Sequence, residues 1–448
     1  MAEVEGTPGF TRQLARFIAK LDASAVPAEA LEHAKVAFMD WLAVTLAGKD
    51  DPLVAKLIDY ADAMGGNGQA TLLGHGKKKS VSQAALINGS ASHVLDYDDT
   101  LEAFLGHPSV TLFPSVLALS EWLEKSGKEF LCAYLAGLQV GATIGRSAGM
   151  EHYMAGWHGT STIGHLASAA GCAWLLGLDE KQCACALGIA GTQSSGLKRV
   201  FGTMCKPFHA GKSSQAGLMA ALLAERGFTS AEDILEGPLG FFHCLKGKVN
   251  EEALARLGRA WDVEKLSQKY HASCHATHSP LEAALQIVQE QGIGLESIGS
   301  VRVHVSQLAL DAAGKIEPAT GLEGKFSIPY CVANALVRGE TGTRCFTDQK
   351  VGEPRVRELM GRIKVVLNPD FKALESRVEV ETRSSRVFSS FSDILQKIPP
   401  LAVKKERVQS KYLDLCGSVL GRDRARELGE EILRLETVPT MKPFVDGL

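Results

Sequence analysis

From residue 10 to about 265, apolar residues recur three and four apart, as in Ala30, Leu31, Ala34, Phe38, Trp41 and Leu42. That is the period of helices packed on one another. Small residues are frequent along the same stretch, among them Ala84, Ala85, Gly89, Ala136, Gly137, Gly141, Ala167 and Gly171, and they let helix axes approach closely. The stretch therefore predicts a large all-helical domain. Past Ser267 the period changes to two. Val301, Val303 and Val305 alternate with Arg302 and His304, Ile363 and Val365 flank Lys364, and Val378 and Val380 flank Glu379. These are strand patterns. Helical segments at 279–292 and 325–338 fall among them, so 268–395 reads as a smaller α+β domain. From about 398 the helical period returns through Val408, Tyr412, Leu415, Leu428 and Ile432. Residues 396–448 are read as completing the large domain of 1–267. The expected fold class is mainly α: a large all-helical domain plus a smaller α+β domain.

Length agrees with two domains, because 448 residues exceed what one core usually organises. A net charge of −3 creates no field for nucleic acid or an anionic membrane. No run of about eighteen uncharged apolar residues appears, so neither nucleic acid nor a membrane is expected as a partner. The first residues carry Glu3 and Glu5 where a signal peptide needs bases, and the stretch from Phe10 to Leu21 reads as an amphipathic helix. A cytoplasmic location is expected. The ten cysteines sit mostly in apolar helical patterns; Cys183 and Cys185 are too close for a zinc pair, and nothing completes four ligands. Packed, reduced thiols are the expectation, with no metal assigned.

Four polar clusters interrupt the apolar helices. The first runs through His93, Asp96, Tyr97, Asp98, Asp99 and Thr100 to Gly106, His107, Pro108 and Ser109. Three carboxylates within four residues repel one another. They persist as caps, as cation ligands, or as acids with raised pKa values for proton transfer. Capping by Asp99 or Thr100 explains one acid and not three. The second cluster, Tyr153, Gly156, Trp157, His158, Gly159, Thr160 and Ser161, opens a helix rich in small residues. Such an N-terminus suits a carboxylate or phosphate; the plainer reading is a hydroxyl cap beside a satisfied histidine. The third places Lys206, His209 and Lys212 just before the apolar run from Ala216, cations fit to receive acid groups. It is half of a phosphate loop only, for Lys206 stands where the first glycine belongs and no strand precedes it. Nucleotide hydrolysis is rejected. The fourth, Lys269, His271, Cys274, His275 and His278, lies at the proposed domain boundary, where clefts commonly form. Its histidine spacing raises a metal site, but no acid lies in the run.

In order and spacing these clusters resemble the MmgE/PrpD family, which includes 2-methylcitrate dehydratase, cis-aconitate decarboxylase and iminodisuccinate epimerase. The resemblance spans nearly the whole chain, through Asn88 and Gly89, Asp96 to Thr100, Gly106 to Ser109, Gly156 to His158, Gly202 to Gly211, Lys269 to His278, and Phe326 to Tyr330. It implies a pocket between a large helical and a smaller α+β domain, a homodimer, and no metal or organic cofactor. It also implies active-site positions at Asp96, Thr100, His107, His158, Lys206, Lys269 and Tyr330. Where many relatives carry Tyr-Pro-x-Cys-Arg, this chain reads His271, Ala272, Ser273, Cys274, His275, without the arginine.

Removing a proton beside a carboxylate needs a base of near-neutral pKa and cations for the enolate-like charge. His107 or His158 fits the base. Lys206 and Lys269 would hold carboxylates of a small polycarboxylate substrate, with Thr100, His209, Lys212 and His278 as further binding groups. Tyr330, or a protonated histidine, would return a proton, and Asp96 would orient a histidine or a lysine. Dehydration of a hydroxy acid is the first expectation, with epimerisation or decarboxylation as alternatives. A non-catalytic carboxylate binder is the reading from another class. Asp96, Tyr97, Asp98 and Asp99 also spell the DxDD of terpene cyclases, but a chain only 6% aromatic cannot line a carbocation pocket.

Overall fold

The computed structural model describes residues 9–396 and 398–448. The acidic start at Glu3 and Glu5 lies outside the described residues. The chain divides into two compact units. One comprises the chain up to Val94, Asp98–Gln268 and Pro400–Leu448; the other comprises Leu95–Tyr97 and Lys269–Pro399. No helix among the described residues is long and apolar enough to cross a membrane.

The first unit is built around the helix Gly159–Leu176, whose residues are buried on every side except at Trp174 and Leu176 near its end. It packs against Ser109–Trp122, Gly127–Met154, Glu180–Gln193 and Cys205–Glu225. A helix apolar all round belongs at the centre of such a layer. The helix Leu401–Leu420 lies along Ala28–Gly48, so the C-terminal segment joins the N-terminal helices. Close approach depends on small residues. A Cβ on Gly89 would stand 2.8 Å from the Cα of Gly211, and one on Gly211 would strike the Leu86 carbonyl and the Ser90 hydroxyl. Gly211→Ala is therefore expected to destabilise by about 1–3 kcal/mol, the usual cost of overpacking. A urea midpoint equal to that of the parent protein would show instead that these helices separate at no cost.

This unit also carries a two-stranded antiparallel hairpin, β1 (Ala70–Leu72) with β2 (Lys77–Lys79). No periodicity announces it, because the strands are three residues long and β2 is all lysine. Tertiary bonds hold it: Glu121 accepts from Thr71 N at 2.7 Å and from Lys78 Nζ at 2.8 Å, while Asn88 donates to Thr71 O and accepts from Leu73 N.

The second unit contains a four-stranded sheet in the order β4-β3-β5-β6. Its strands are β3 (Ile298–Val305), β4 (Ile363–Leu367), β5 (Ser376–Thr382) and β6 (Val387–Ser392). β3 runs parallel to β4 and antiparallel to β5. Val301, Val303 and Val305 face the core and Arg302 faces solvent, as the period-two pattern requires. The helices His278–Gln291 and Ile328–Arg338 pack on this unit's strands and on each other. β6 has no such pattern: Val387 and Phe388 are adjacent and the remainder is largely serine. Pairing with β5 defines it as an exposed edge.

Leu95–Tyr97 is bonded into the second unit, although its flanking residues belong to the first. Lys325 Nζ donates to Leu95 O, Lys269 Nζ donates to Asp96 O at 2.8 Å, and Tyr97 Oη donates to Tyr270 O at 3.1 Å. Asp96 takes a positive φ of 51°, an unusual conformation for a residue other than glycine.

Candidate active site

The helix Val81–His93 starts with a capping box between Ser80 and Gln83 and ends on a buried histidine. Beyond it the chain folds back through two short antiparallel bridges, Thr100 with Ser267 and Leu101 with Gly106. Gly106 allows the return, since a Cβ there would collide with the backbone and hydroxyl of Thr160. The Thr160 hydroxyl in turn accepts from His107 N at 3.1 Å. The result places Asp98, with no exposed surface, between two imidazoles. Its Oδ1 lies 2.9 Å from His93 Nδ1 and its Oδ2 lies 2.8 Å from His107 Nδ1. Burial alone would raise the Asp98 pKa, but the two imidazoles outweigh it and hold the carboxyl well below its ordinary range. An ionised Asp98 favours the Nδ1–H tautomer of His93, to which it is hydrogen-bonded. His93, Asp98 and His107 bring together ligand atoms that could hold a metal ion; a buried carboxylate bonded to an imidazole is equally the arrangement of an orienter and its base.

A second imidazole pair adjoins the first. His158 occupies the N-cap of Gly159–Leu176 without a side-chain cap. Its ring lies nearly parallel to His93 at 6.3 Å between centres. Its Nδ1 lies 3.1 Å from His209 Nδ1, so one nitrogen carries the hydrogen and the other accepts it. His209 stands one turn beyond Lys206 on the helix Cys205–Glu225, and Lys206 is itself buried. Phe201 meets His158 edge-on at 4.9 Å. Burial depresses both pKa values, helped at His158 by Lys206 and His93 and at His209 by His93 and Lys206. His209 falls to about 4. Burial thus favours the neutral form of both rings.

The three acids of the first cluster part company. Asp96 accepts from Lys269 Nζ at 3.0 Å inside the α+β unit, with both side chains buried. Asp98 takes the two imidazoles. Asp99 accepts from the hydroxyl and backbone N of Ser109, the first residue of Ser109–Trp122, whose N-cap is Pro108. Burial, then Asp40 and Asp98, push the Asp99 pKa well above the carboxylate range.

His107, His158, Lys206 and His209 thus gather in the helical unit, where Thr100 pairs through its backbone with Ser267. Lys212, on the same helix, donates to Gln215 at 3.1 Å. Asp96, Lys269, His278 and Tyr330 belong to the α+β unit. Tyr330 is fully buried and donates its hydroxyl to the Cys345 carbonyl. His278 contacts the Ser273 carbonyl at 3.3 Å, and its pKa is driven well down by burial and then by His271, His275 and Lys269. Two members of the imidazole cluster, His93 and Asp98, escaped selection from the sequence. The available signal was a histidine ending an apolar helix five residues before an aspartate.

The model of the MmgE/PrpD N-terminal domain matches residues 12–253, and that of the MmgE/PrpD C-terminal domain matches residues 271–437. A cis-aconitate decarboxylase of Aspergillus terreus is 28% identical over 484 residues, covering 100% of this chain and 97% of that protein. The cis-aconitate decarboxylase of Mus musculus is 26% identical, covering 91% of this chain and 86% of its own. The mitochondrial 2-methylcitrate dehydratase of Yarrowia lipolytica is 24% identical, covering 82% and 75% respectively.

Proposed function

Because the chain belongs to the MmgE/PrpD family, we propose that it is a lyase that moves a proton beside a carboxylate of a small di- or tricarboxylic acid, without a bound cofactor. One observation carries this reading: imidazoles oriented by a buried carboxylate stand in the same helical unit as the buried ammonium of Lys206. With Nδ1 on Asp98, His107 keeps Nε2 for proton exchange with carbon. Lys206 holds a substrate carboxylate and stabilises the charge that spreads into it. His158 and His209, whose neutral forms burial favours, serve as hydrogen-bond partners.

Decarboxylation is the favoured branch, ahead of the dehydration that motifs alone put first, because the cis-aconitate decarboxylase of Aspergillus terreus is similar from end to end. In that branch a carbon–carbon bond breaks, carbon dioxide leaves, and the electron pair delocalises toward the remaining carboxylate until an imidazolium protonates carbon. Dehydration is the second reading, supported by the likeness to the Yarrowia lipolytica dehydratase. There the imidazole takes the carbon-bound proton, the alkene forms, and hydroxide leaves with a proton from an acid.

A proton NMR time course in deuterated buffer, offering cis-aconitate, 2-methylcitrate, citrate and iminodisuccinate separately, tests the proposal. The expected result is loss of carbon dioxide from cis-aconitate with deuterium at the protonated carbon, abolished in Lys206→Ala. Water loss from 2-methylcitrate alone would transfer the assignment to dehydration. Deuterium entering iminodisuccinate without elimination would make the protein an epimerase. Binding of these acids with no exchange at all would overturn the enzymatic reading in favour of a carboxylate binder.

A further inference from the structure

The segment 196–204 leads from the helix Glu180–Gln193 into the helix Cys205–Glu225 and carries a side chain that the proposed chemistry leaves without a role. Phe201, half-buried, meets the His158 ring edge-on, with centres 4.9 Å apart and planes inclined at 78°. The Lys206 ammonium lies over the same ring, its Nζ 5.6 Å from the ring centre. We propose that Phe201 is a positioning residue, which braces His158 and aims the Lys206 ammonium, and that Lys198 clamps the segment holding it there. This inference rests on the reading of Lys206 as the group that holds a substrate carboxylate.

The segment is tied to the chain around His158. An antiparallel bridge joins Leu197 to Trp157, in which His158 N donates to Gly196 O at 2.9 Å and Lys198 N donates to Gly156 O at 2.8 Å. Lys198 Nζ donates to Tyr153 O at 3.1 Å and stands 3.7 Å from the centre of the Tyr153 ring. Gly196, at a φ of 130°, permits the close approach, since a Cβ there would stand 2.6 Å from the Cβ of Ser161 on the helix that starts at Gly159. Beyond Lys198 the turns follow one another: Phe201 N donates to Lys198 O at 3.0 Å, Thr203 N to Val200 O at 3.1 Å, and Lys206 N to Thr203 O at 3.2 Å. Backbone bonds therefore hold Phe201 from Lys198 on one side and lead on to Lys206 on the other.

An aromatic ring suits both neighbours. Its edge and face carry opposite partial charges, so an edge-to-face contact sets the tilt of a neighbouring ring as well as its distance. His158 already meets His209 Nδ1 at 3.1 Å and the nearly parallel His93 ring; Phe201 adds a third contact. The face of a phenyl ring attracts an ammonium and leaves its charge in place. A carboxylate in the same position would cancel the charge that a substrate carboxylate needs. A leucine fills similar space but has no quadrupole, so it neither tilts the imidazole nor draws the ammonium.

Steady-state kinetics on whichever of the four acids is turned over, joined to NMR of the full chain without substrate, tests the proposal. Phe201→Leu is expected to raise KM about threefold to tenfold, the size of one cation–π contact, with a smaller loss of kcat. Phe201→Tyr restores the ring and is expected to bring KM back to within about twofold of the parent value. Lys198→Met leaves the ring but removes its clamp, and KM is expected to rise in the same direction. Loss of the ring current in Phe201→Leu is expected to shift the His158 ring protons and the Lys206 ε-methylene, and Phe201→Tyr to leave them near their parent positions. A lower kcat at unchanged KM in Phe201→Leu would mean that the ring only maintains the fold, and would overturn the proposal; so would signals indifferent to its removal. If Phe201→Leu fails to fold, Lys198→Met carries the test, and a parental KM there would be equally fatal. If no acid is turned over, the proposed function fails by itself, and the calorimetric Kd for cis-aconitate and citrate takes the place of KM with the same expected ratio. Absence of binding to both would then remove this inference as well.

Discussion

Replacing Asp98 with asparagine is expected to lower kcat by about three to four orders of magnitude, the scale seen when the orienting carboxylate of a catalytic histidine becomes an amide. One oxygen of Asp98 is hydrogen-bonded to His93 Nδ1 at 2.9 Å, and the other stands 2.8 Å from His107 Nδ1. An asparagine keeps one acceptor and turns the other into a donor. The imidazole facing that donor must offer a lone pair at Nδ1, so its hydrogen moves to Nε2 and the ring loses the atom that accepts a proton. If the amide turns its oxygen toward His107, that ring keeps its tautomer and still loses the neighbouring negative charge. In either orientation the loss is expected to fall on kcat, because Asp98 is fully buried and approached by imidazoles. Steady-state kinetics on the turned-over acid reads the split directly. A large rise in KM with kcat preserved would mean that Asp98 supports binding rather than proton transfer.

The second large effect concerns stability, away from the imidazoles. Lys411, on Leu401–Leu420, places Nζ 2.7 Å from Oδ1 of Asp40, on Ala28–Gly48, and both side chains are almost wholly buried. Burial lowers the Lys411 pKa, opposed by Asp40 and, more weakly, by Asp98 and Asp99. Lys411→Met keeps most of the volume and leaves Asp40 as a buried charge beside Asp99. Breaking one partner of such a pair costs about 3–5 kcal/mol, whereas replacing both with neutral groups is often neutral. The single variant is therefore expected to lower the urea midpoint of the helical unit strongly. The double variant Asp40→Asn, Lys411→Met should recover most of the loss. If the single and double variants unfold alike, the helices are held by apolar contact and not by this pair.

Periodicity by itself determined where helices yield to strands. The change near Ser267 is a change in which positions must avoid water, and Val301, Val303 and Val305 meet that demand in β3. The spacing of its clusters already resembled the family whose domain models match it. The β1–β2 hairpin and β6 were not legible, because neither carries a period-two apolar pattern; Glu121, Asn88 and strand β5 define them from elsewhere in the chain. The same limit applies to the acids. As a sequence, Asp96, Asp98 and Asp99 are three equivalent carboxylates. Only the backbone reversal at Asp96 and the bridges at Thr100 and Leu101 send one to Lys269, one to two imidazoles and one to a helix start. Ionisation is set by those neighbours and by burial, and both are properties of the folded chain, which is why the role of Asp98 required the tertiary structure.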